Sequence, residues 1–288
     1  MSQEHTSPKI EDDEIDLAEL WRAIWAGKFI IIAISLVFAV ASVFYALSKP
    51  DIYKASVLLA PVSSQGGSGG LGALAGQFGG LASLAGINLG SGGGDKTSIA
   101  LATLKSRSFI ENFIKKHDLL VPLMATKKWD RASNKLILNN DIYNETDKTW
   151  IQDGSVLTAK KPSKWVSYKA FSSLLSISED KLTSLITLEL EFYSPHVAKE
   201  WLILLVEEIN EFTREKEKSE TKASIEYLKN ELKNIQVSNM ETVFYQLIEE
   251  QTKNMMLAQV KKEYVFKTID PAQVPDIKNS PKRAFIVL

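Results

Sequence analysis

Hydrophobic and polar positions divide the chain into three regimes. From Phe29 to Leu47 the sequence FIIIAISLVFAVASVFYAL carries no charge and no polar stripe. Nineteen residues at the helical rise span about 28 Å, close to the apolar thickness of a bilayer, so this stretch predicts a transmembrane helix. A cleaved signal peptide is the rival reading. The 28 residues before it hold seven acids and three bases (Lys9, Arg22, Lys28), whereas a signal n-region is short and positive, so a retained anchor is favoured. IDLAELWRAIWAGK, just ahead, places Leu17, Leu20, Ile24 and Trp25 on a helical stripe, with Trp21 and Trp25 at interfacial depth.

The second regime is short-period. DIYKASVLLAPV, from Asp51 to Val62, reads as a strand ended by Pro61. Thr97–Leu104 reads as a helix. Ser108 and Glu111 form a capping box opening another, with Phe109, Phe113 and Ile114 inward and Lys115 and Lys116 favourable at its end. Residues 122–162 read as irregular, and Ser163–Ser172 as a helix bearing Trp165, Tyr168 and Phe171. Strands are expected at Leu174–Ser178 and Ser184–Tyr193, joined by a SEDKLT turn. In the second, Ile186, Leu188, Leu190 and Phe192 alternate with Leu185, Thr187, Glu189 and Glu191.

The third regime is helical. Ser194 and Pro195 are a start signal, N-cap followed by proline at the first helical position, and neither glycine nor proline occurs from His196 to Asp270. Val197, Trp201, Leu204, Leu205 and Phe212 open a stripe continued by Ala223, Tyr227, Leu228, Leu232 and Ile235. Propensity dips over 234–239, where Ser238 and Glu241 suggest a second capping box. A new stripe follows at Met240, Val243, Phe244, Leu247, Gln251, Met255 and Val260. A helix of nearly seventy residues would run about 100 Å; two helices folded into an extended hairpin fit the dip better. Strict heptads are not sustained, which disfavours a simple coiled-coil rod, and the stripes suggest self-association. Tyr264–Ile269 then alternates as a strand. Pro271, Pro275 and Pro281 stiffen the segment that follows.

The predicted fold class is therefore α+β and membrane-anchored. Residues 1–28 form a cytoplasmic segment and 29–47 the transmembrane helix. Residues 48–194 form an α/β base interrupted by a glycine-rich loop at 66–94. A helical arm at 195–263 precedes a returning strand and proline segment at 264–283. Residues 284–288, apolar after Lys282 and Arg283, read as the opening of a second transmembrane helix rather than as a terminal strand.

Composition removes several chemistries. No cysteine is present, so disulfides, thiolate metal sites and cysteine catalysis are excluded. His5, His117 and His196 show no metal-ligand spacing. A net charge of −1 offers no footprint for nucleic acid. GSGGLG at Gly67, Gly69 and Gly72 fits a dinucleotide fingerprint only as a tract rich in glycine will, without a framing strand or acidic partner. In GSGGGDKT, Asp95 stands where a phosphate loop needs glycine before its lysine. Glu189 and Glu191 share a strand face, which is more often solvated than catalytic. No catalytic residue, cofactor or metal is expected.

Four segments, IDLAELWRAIWAGK, DIYKASVLLAP, LITLELEFYSPHVAKEWLILLVEEIN and SPKRAFIVL, occur in an order that resembles the Wzz-type chain-length determinants, or polysaccharide co-polymerases. The glycine-rich stretch is longer than the family pattern leads one to expect. The resemblance implies two transmembrane helices with both termini cytoplasmic, a periplasmic base and arm, and ring-like homo-oligomers in the bacterial inner membrane. It implies control of the chain length of O-antigen or a related polymer made by a separate membrane polymerase, with the growing polysaccharide a further contact. It marks Pro271, Pro275, Pro281, Lys282 and Arg283 as the membrane-return motif. The alternative is a periplasmic adaptor of an export system, which also combines a membrane anchor with a helical hairpin. A coiled-coil sensor would need a cytoplasmic signalling module, which the short acidic N-terminal segment does not resemble.

Overall fold

The computed structural model describes residues 21, 25–62, 93–151, 161–233 and 238–283. The N-terminal stripe through Leu17, Leu20 and Ile24, nearly all of the glycine-rich loop, the propensity dip at 234–237 and the apolar end at 284–288 lie outside the described residues. The chain divides into two compact units. One holds Met1–Lys49 with Pro281–Leu288, and the other holds Pro50–Ser280.

In the first unit, α1 (Lys28–Ser48, 21 residues) follows from the uncharged run at 29–47. Among the described residues it is the one helix long and apolar enough to cross a membrane. Phe29, Phe38 and Phe44 are largely exposed, as a surface meeting hydrocarbon requires. Cations and aromatic rings mark both ends. Lys28 Nζ lies 4.5 Å from the Trp25 ring centre and Lys49 Nζ 4.8 Å from that of Tyr45. Trp21 stacks on Trp25 at 6.2 Å.

The second unit is built on a four-stranded antiparallel sheet. Its strands are β1 (Tyr53–Pro61), β6 (Leu175–Glu179), β7 (Ile186–Phe192) and β8 (Phe266–Asp270), in the order β6-β7-β1-β8. Alternation sets the register. Ala55, Val57 and Leu59 stand opposite Leu190, Leu188 and Ile186, all buried on one face, while Lys54, Ser56 and Leu58 stand opposite Glu191, Glu189 and Thr187 on the other. The SEDKLT segment is the β6–β7 turn. Asp180 accepts from the Leu182 N–H at 2.9 Å, and Ser184 takes the left-handed conformation at φ 57°.

Helices cover the apolar face: α2 (Gly93–Lys105), α3 (Arg107–Lys116), α4 (Leu120–Ala125) and α5 (Lys164–Leu174). The cap of α3 departs from the expected one. Ser106, in extended geometry, accepts from the Phe109 N–H at 3.3 Å. Ser108 already lies inside the helix, and Glu111 instead bonds Arg107 Nε at 2.6 Å. Phe109, Phe113 and Ile114 are buried as expected.

The region read as irregular from 122 to 162 is more ordered than that. It contains α4, a hairpin of β2 (Thr126–Asp130) and β3 (Lys135–Leu138), and a short pair of β4 (Tyr143–Asn144) and β5 (Thr149–Trp150). Its Asn and Asp residues are the turn chemistry. Asp130 accepts from the Ala132 and Ser133 N–H groups, Asn144 accepts from those of Thr146 and Asp147, and Asn134 and Lys148 take φ 52°. Composition read as loop was two tight turns. Residues 152–160 lie outside the described residues.

Helix α6 (Pro195–Leu232, 38 residues) is about 57 Å long. Its start is as predicted: Ser194 accepts from the Val197 N–H at 3.4 Å and Pro195 follows. Ala198, Trp201, Leu202, Leu205, Val206 and Ile209 press on the sheet. A ring chain ties this core together, with Phe113–Phe171 at 5.4 Å, Phe171–Trp201 at 6.0 Å and Phe192–Trp201 at 4.5 Å.

Beyond residue 212 the helix pairs with α7 (Ser238–Val260). Leu228 packs on Phe244, Leu247 and Ile248, and Arg214 Nη1 donates to the Lys261 carbonyl at 3.5 Å. The facing side of α6 is Thr221, Ile225 and Leu228, not the predicted Ala223 and Tyr227, which point to solvent. The 3.6-residue period admitted either stripe, and the partner helix selects the one that a two-helix element can bury.

A buried amide links α6 to the strand that follows the arm. Asn210 is buried; its Oδ1 accepts from the N–H groups of Tyr264 (3.0 Å), Val265 (2.8 Å) and Phe266 (2.9 Å), and its Nδ2 donates to the Phe266 carbonyl at 3.0 Å. Replacing it strands three backbone donors and an acceptor in the interior. Asn210→Ala is expected to destabilise the protein by about 3–5 kcal/mol. Denaturant unfolding of the detergent-solubilised chain checks this, and a loss under about 1 kcal/mol would contradict the role.

Candidate functional site: the membrane-return junction

The chain passes between its two units twice, at 49–50 and at 280–281, and each unit has its own bonding near these points. In the larger unit Ile52 and Ser280 form an antiparallel bridge, with the Ile52 N–H on the Ser280 carbonyl at 2.8 Å and the Ser280 N–H on the Ile52 carbonyl at 3.2 Å. Lys278 Nζ meets Asp51 Oδ1 at 2.9 Å, and Asn279 Nδ2 donates to Glu191 Oε1 at 2.9 Å. In the smaller unit Arg283 donates from Nε to the Ala46 carbonyl at 3.1 Å and from Nη2 to the Lys49 carbonyl at 3.4 Å. Those carbonyls belong to the last turn and C-cap of α1. A guanidinium there satisfies acceptors the helix leaves open and complements its negative dipole end.

The five residues expected to form the return motif are spread along this path. Pro271 follows β8 and is exposed, Pro275 is half-buried in the extended segment, and Pro281 sits at the crossing. Lys282 is exposed, and Arg283 alone among them bonds to α1. Sequence reading missed Asp51, Lys278, Asn279 and Glu191, whose side chains bracket the crossing. Asp51 and Lys278 are 227 positions apart, and nothing local signals their pairing.

Glu191 and Glu189 also frame Lys54, whose Nζ lies 3.2 Å from Glu189 Oε2 and 3.4 Å from Glu191 Oε1. A cation between two carboxylates replaces a bare acidic strand face with cross-strand ion pairs. These pairs lock β1 to β7 on the polar sheet face. Higher up, Lys96 Nζ chelates both oxygens of Glu217 at 2.7 and 2.9 Å, fastening α2 to α6. Burial, with the nearby Glu217 charge, pushes the Tyr264 hydroxyl above its ordinary range.

Residues 13–117 match the sequence profile of the Wzz family, described as chain length determinant protein. Of that span, α1, β1, α2 and α3 lie among the described residues. No curated protein matches the chain. Among solved structures, a full-length bacterial polysaccharide co-polymerase is 12% identical with a TM-score of 0.41, covering 94% of this chain and 91% of its own. A fragment of WzzB, a polysaccharide co-polymerase from Salmonella Typhimurium, is 10% identical with a TM-score of 0.36, covering 80% of this chain and all of its own.

The hydrogen bond to Glu189 is the main cause raising Lys54 above its ordinary 10.5, opposed by desolvation, so its charge contributes stability below that value and loses it as pH rises through the higher folded-state value. Tyr264 adds to the same alkaline window. The Lys54 part is isolated by comparison: Lys54→Met is expected to show a shallower loss of stability above pH 10.5 than the parent. Urea unfolding at stepped pH reads this, and identical slopes would contradict it. Over residues 13–117, then, the Wzz chain-length determinants are the family that this chain resembles.

Proposed function

We propose that the protein regulates the chain length of a surface polysaccharide, O-antigen or a related polymer. It acts without catalysis, as an oligomeric scaffold beside a separate membrane polymerase. The observation that carries this reading is the Wzz match over residues 13–117. It also favours chain-length control over the export-adaptor alternative.

In this reading α1 anchors the chain in the bacterial inner membrane, with the larger unit in the periplasm and the N-terminal segment in the cytoplasm. Residues 1–28, 29–47, 48–194, 195–263 and 264–283 serve as cytoplasmic tail, anchor, base, arm and return. A second span begins at 284. Pro271, Pro275, Pro281, Lys282 and Arg283 guide the chain back, and the Arg283 bonds to the end of α1 support that role. Both ends of the base are then tethered, so copies can stand side by side. Among the described residues no third layer covers the outer sides of the two-helix arm, and Tyr227, Tyr245, Met256 and Val260 are more than half exposed along it. Neighbouring copies in a ring would cover such surface.

Deleting the gene in its native host and resolving surface polysaccharide on gels tests the function. A lost or shifted modal length, restored by complementation, is expected. An unchanged band distribution would remove the proposal.

A further inference from the structure

The folded base carries a second surface that the membrane-return junction and the arm do not use. On α5, Trp165, Tyr168 and Lys169 stand three and four residues apart, hence on one face. Trp165 is 45% exposed, although tryptophan normally buries most of its area. Two cations lie near its ring. The Arg107 guanidinium carbon lies 5.1 Å and Lys169 Nζ 5.2 Å from the ring centre. The Tyr168 ring is 5.5 Å away at 34°, and its hydroxyl donates to the Lys105 carbonyl at 3.3 Å, which fixes its orientation.

The surrounding charge is one-sided. Between Gly154 and Ser178 the sequence holds four lysines and no acid. Of the elements packed on α5, α4 is uncharged, α3 brings Glu111, already bound to Arg107 through Nε, and β6 brings Glu179 at its far end. Glu189 and Glu191 of β7 turn to the opposite sheet face, where they hold Lys54. Among the described residues neither Lys164 nor Lys169 meets a carboxylate. A net charge of −1 for the whole chain makes this local excess a feature of the patch.

We propose that the face formed by Arg107, Trp165, Tyr168 and Lys169 is a binding site for an acidic glycan chain. The apolar C–H face of a pyranose would lie on the indole, and carboxylates on the sugar would pair with the guanidinium and ammonium groups. Flat aromatic surface with cations 5.1 and 5.2 Å from the ring centre suits a ligand whose every residue has an apolar face and an anionic rim. The vesicle arm of the test below separates a lipid surface from a glycan. The identification of the ligand as polysaccharide rests on the function proposed above; the cationic aromatic site stands on its own geometry.

The test uses the purified full chain in mild detergent and three probes: oligogalacturonate, neutral dextran of matched length, and vesicles containing phosphatidylglycerol. Oligogalacturonate is expected to bind and to weaken with added salt, with dextran at least about tenfold weaker. Trp165→Ala and the double variant Arg107→Gln, Lys169→Gln are each expected to reduce galacturonate affinity by about tenfold, and Trp165→Phe to retain most of it. Unfolding midpoints close to the parent's would confirm that these exposed changes leave the fold intact. Equal binding of dextran and galacturonate, variants indistinguishable from the parent, or sensitivity of vesicle binding alone would overturn the site. Failure here together with an altered polysaccharide in the deletion strain would remove only this site. Binding retained while the deletion strain is unaltered would remove only the chain-length function.

Discussion

One buried amide ties α6 to the start of β8 in the larger unit. Asn210 sits on α6 where the helix leaves the sheet, and it occupies the backbone groups of Tyr264, Val265 and Phe266 as the chain enters β8. An apolar residue there would leave those donors unmet, and a charged one would be costly to desolvate. An amide supplies both acceptor and donor in the available volume. The arm can therefore extend beyond the core and still return its chain to a fixed strand register. Phe266 is then fully buried, and Val62 donates its N–H to Val265 beside it.

β8 pairs with β1, and the extended segment after it ends at the Ile52–Ser280 bridge, so entry and exit of the base are hydrogen-bonded neighbours. In the other unit Arg283 closes on the carbonyl end of α1. Among the described residues the first strand and the last strand of this sheet are neighbours. The same topology makes the base slow to assemble, because β1 must wait for a partner more than 200 positions away.

Much of this was legible in the sequence where a period was strong. The alternation in β7, the Ser194–Pro195 start of α6 and the uncharged run of α1 each overdetermine their element. What was not legible divides into two kinds. Local chemistry was misassigned at Ser108, where the neighbouring Ser106 is the cap, and at Asp130 and Asn144, whose turn roles look like loop composition. Long-range chemistry left no local trace. Asn210 was an unremarked amide between Ile209 and Glu211, and the partners of Asp51 and Glu191 lie at the far end of the chain. The cations around Trp165 come from two helices, so their convergence exists only in the fold.

The central claim is that arm and base stand outside the cytoplasm, tethered at both ends. A single cysteine at Glu220, in a chain that has none of its own, tests it in intact cells with a membrane-impermeant maleimide that passes the outer membrane. The account predicts labelling of Glu220→Cys before lysis, with a cysteine at Ser2 labelled only after it. Protection of position 220 until the inner membrane is broken would contradict the account.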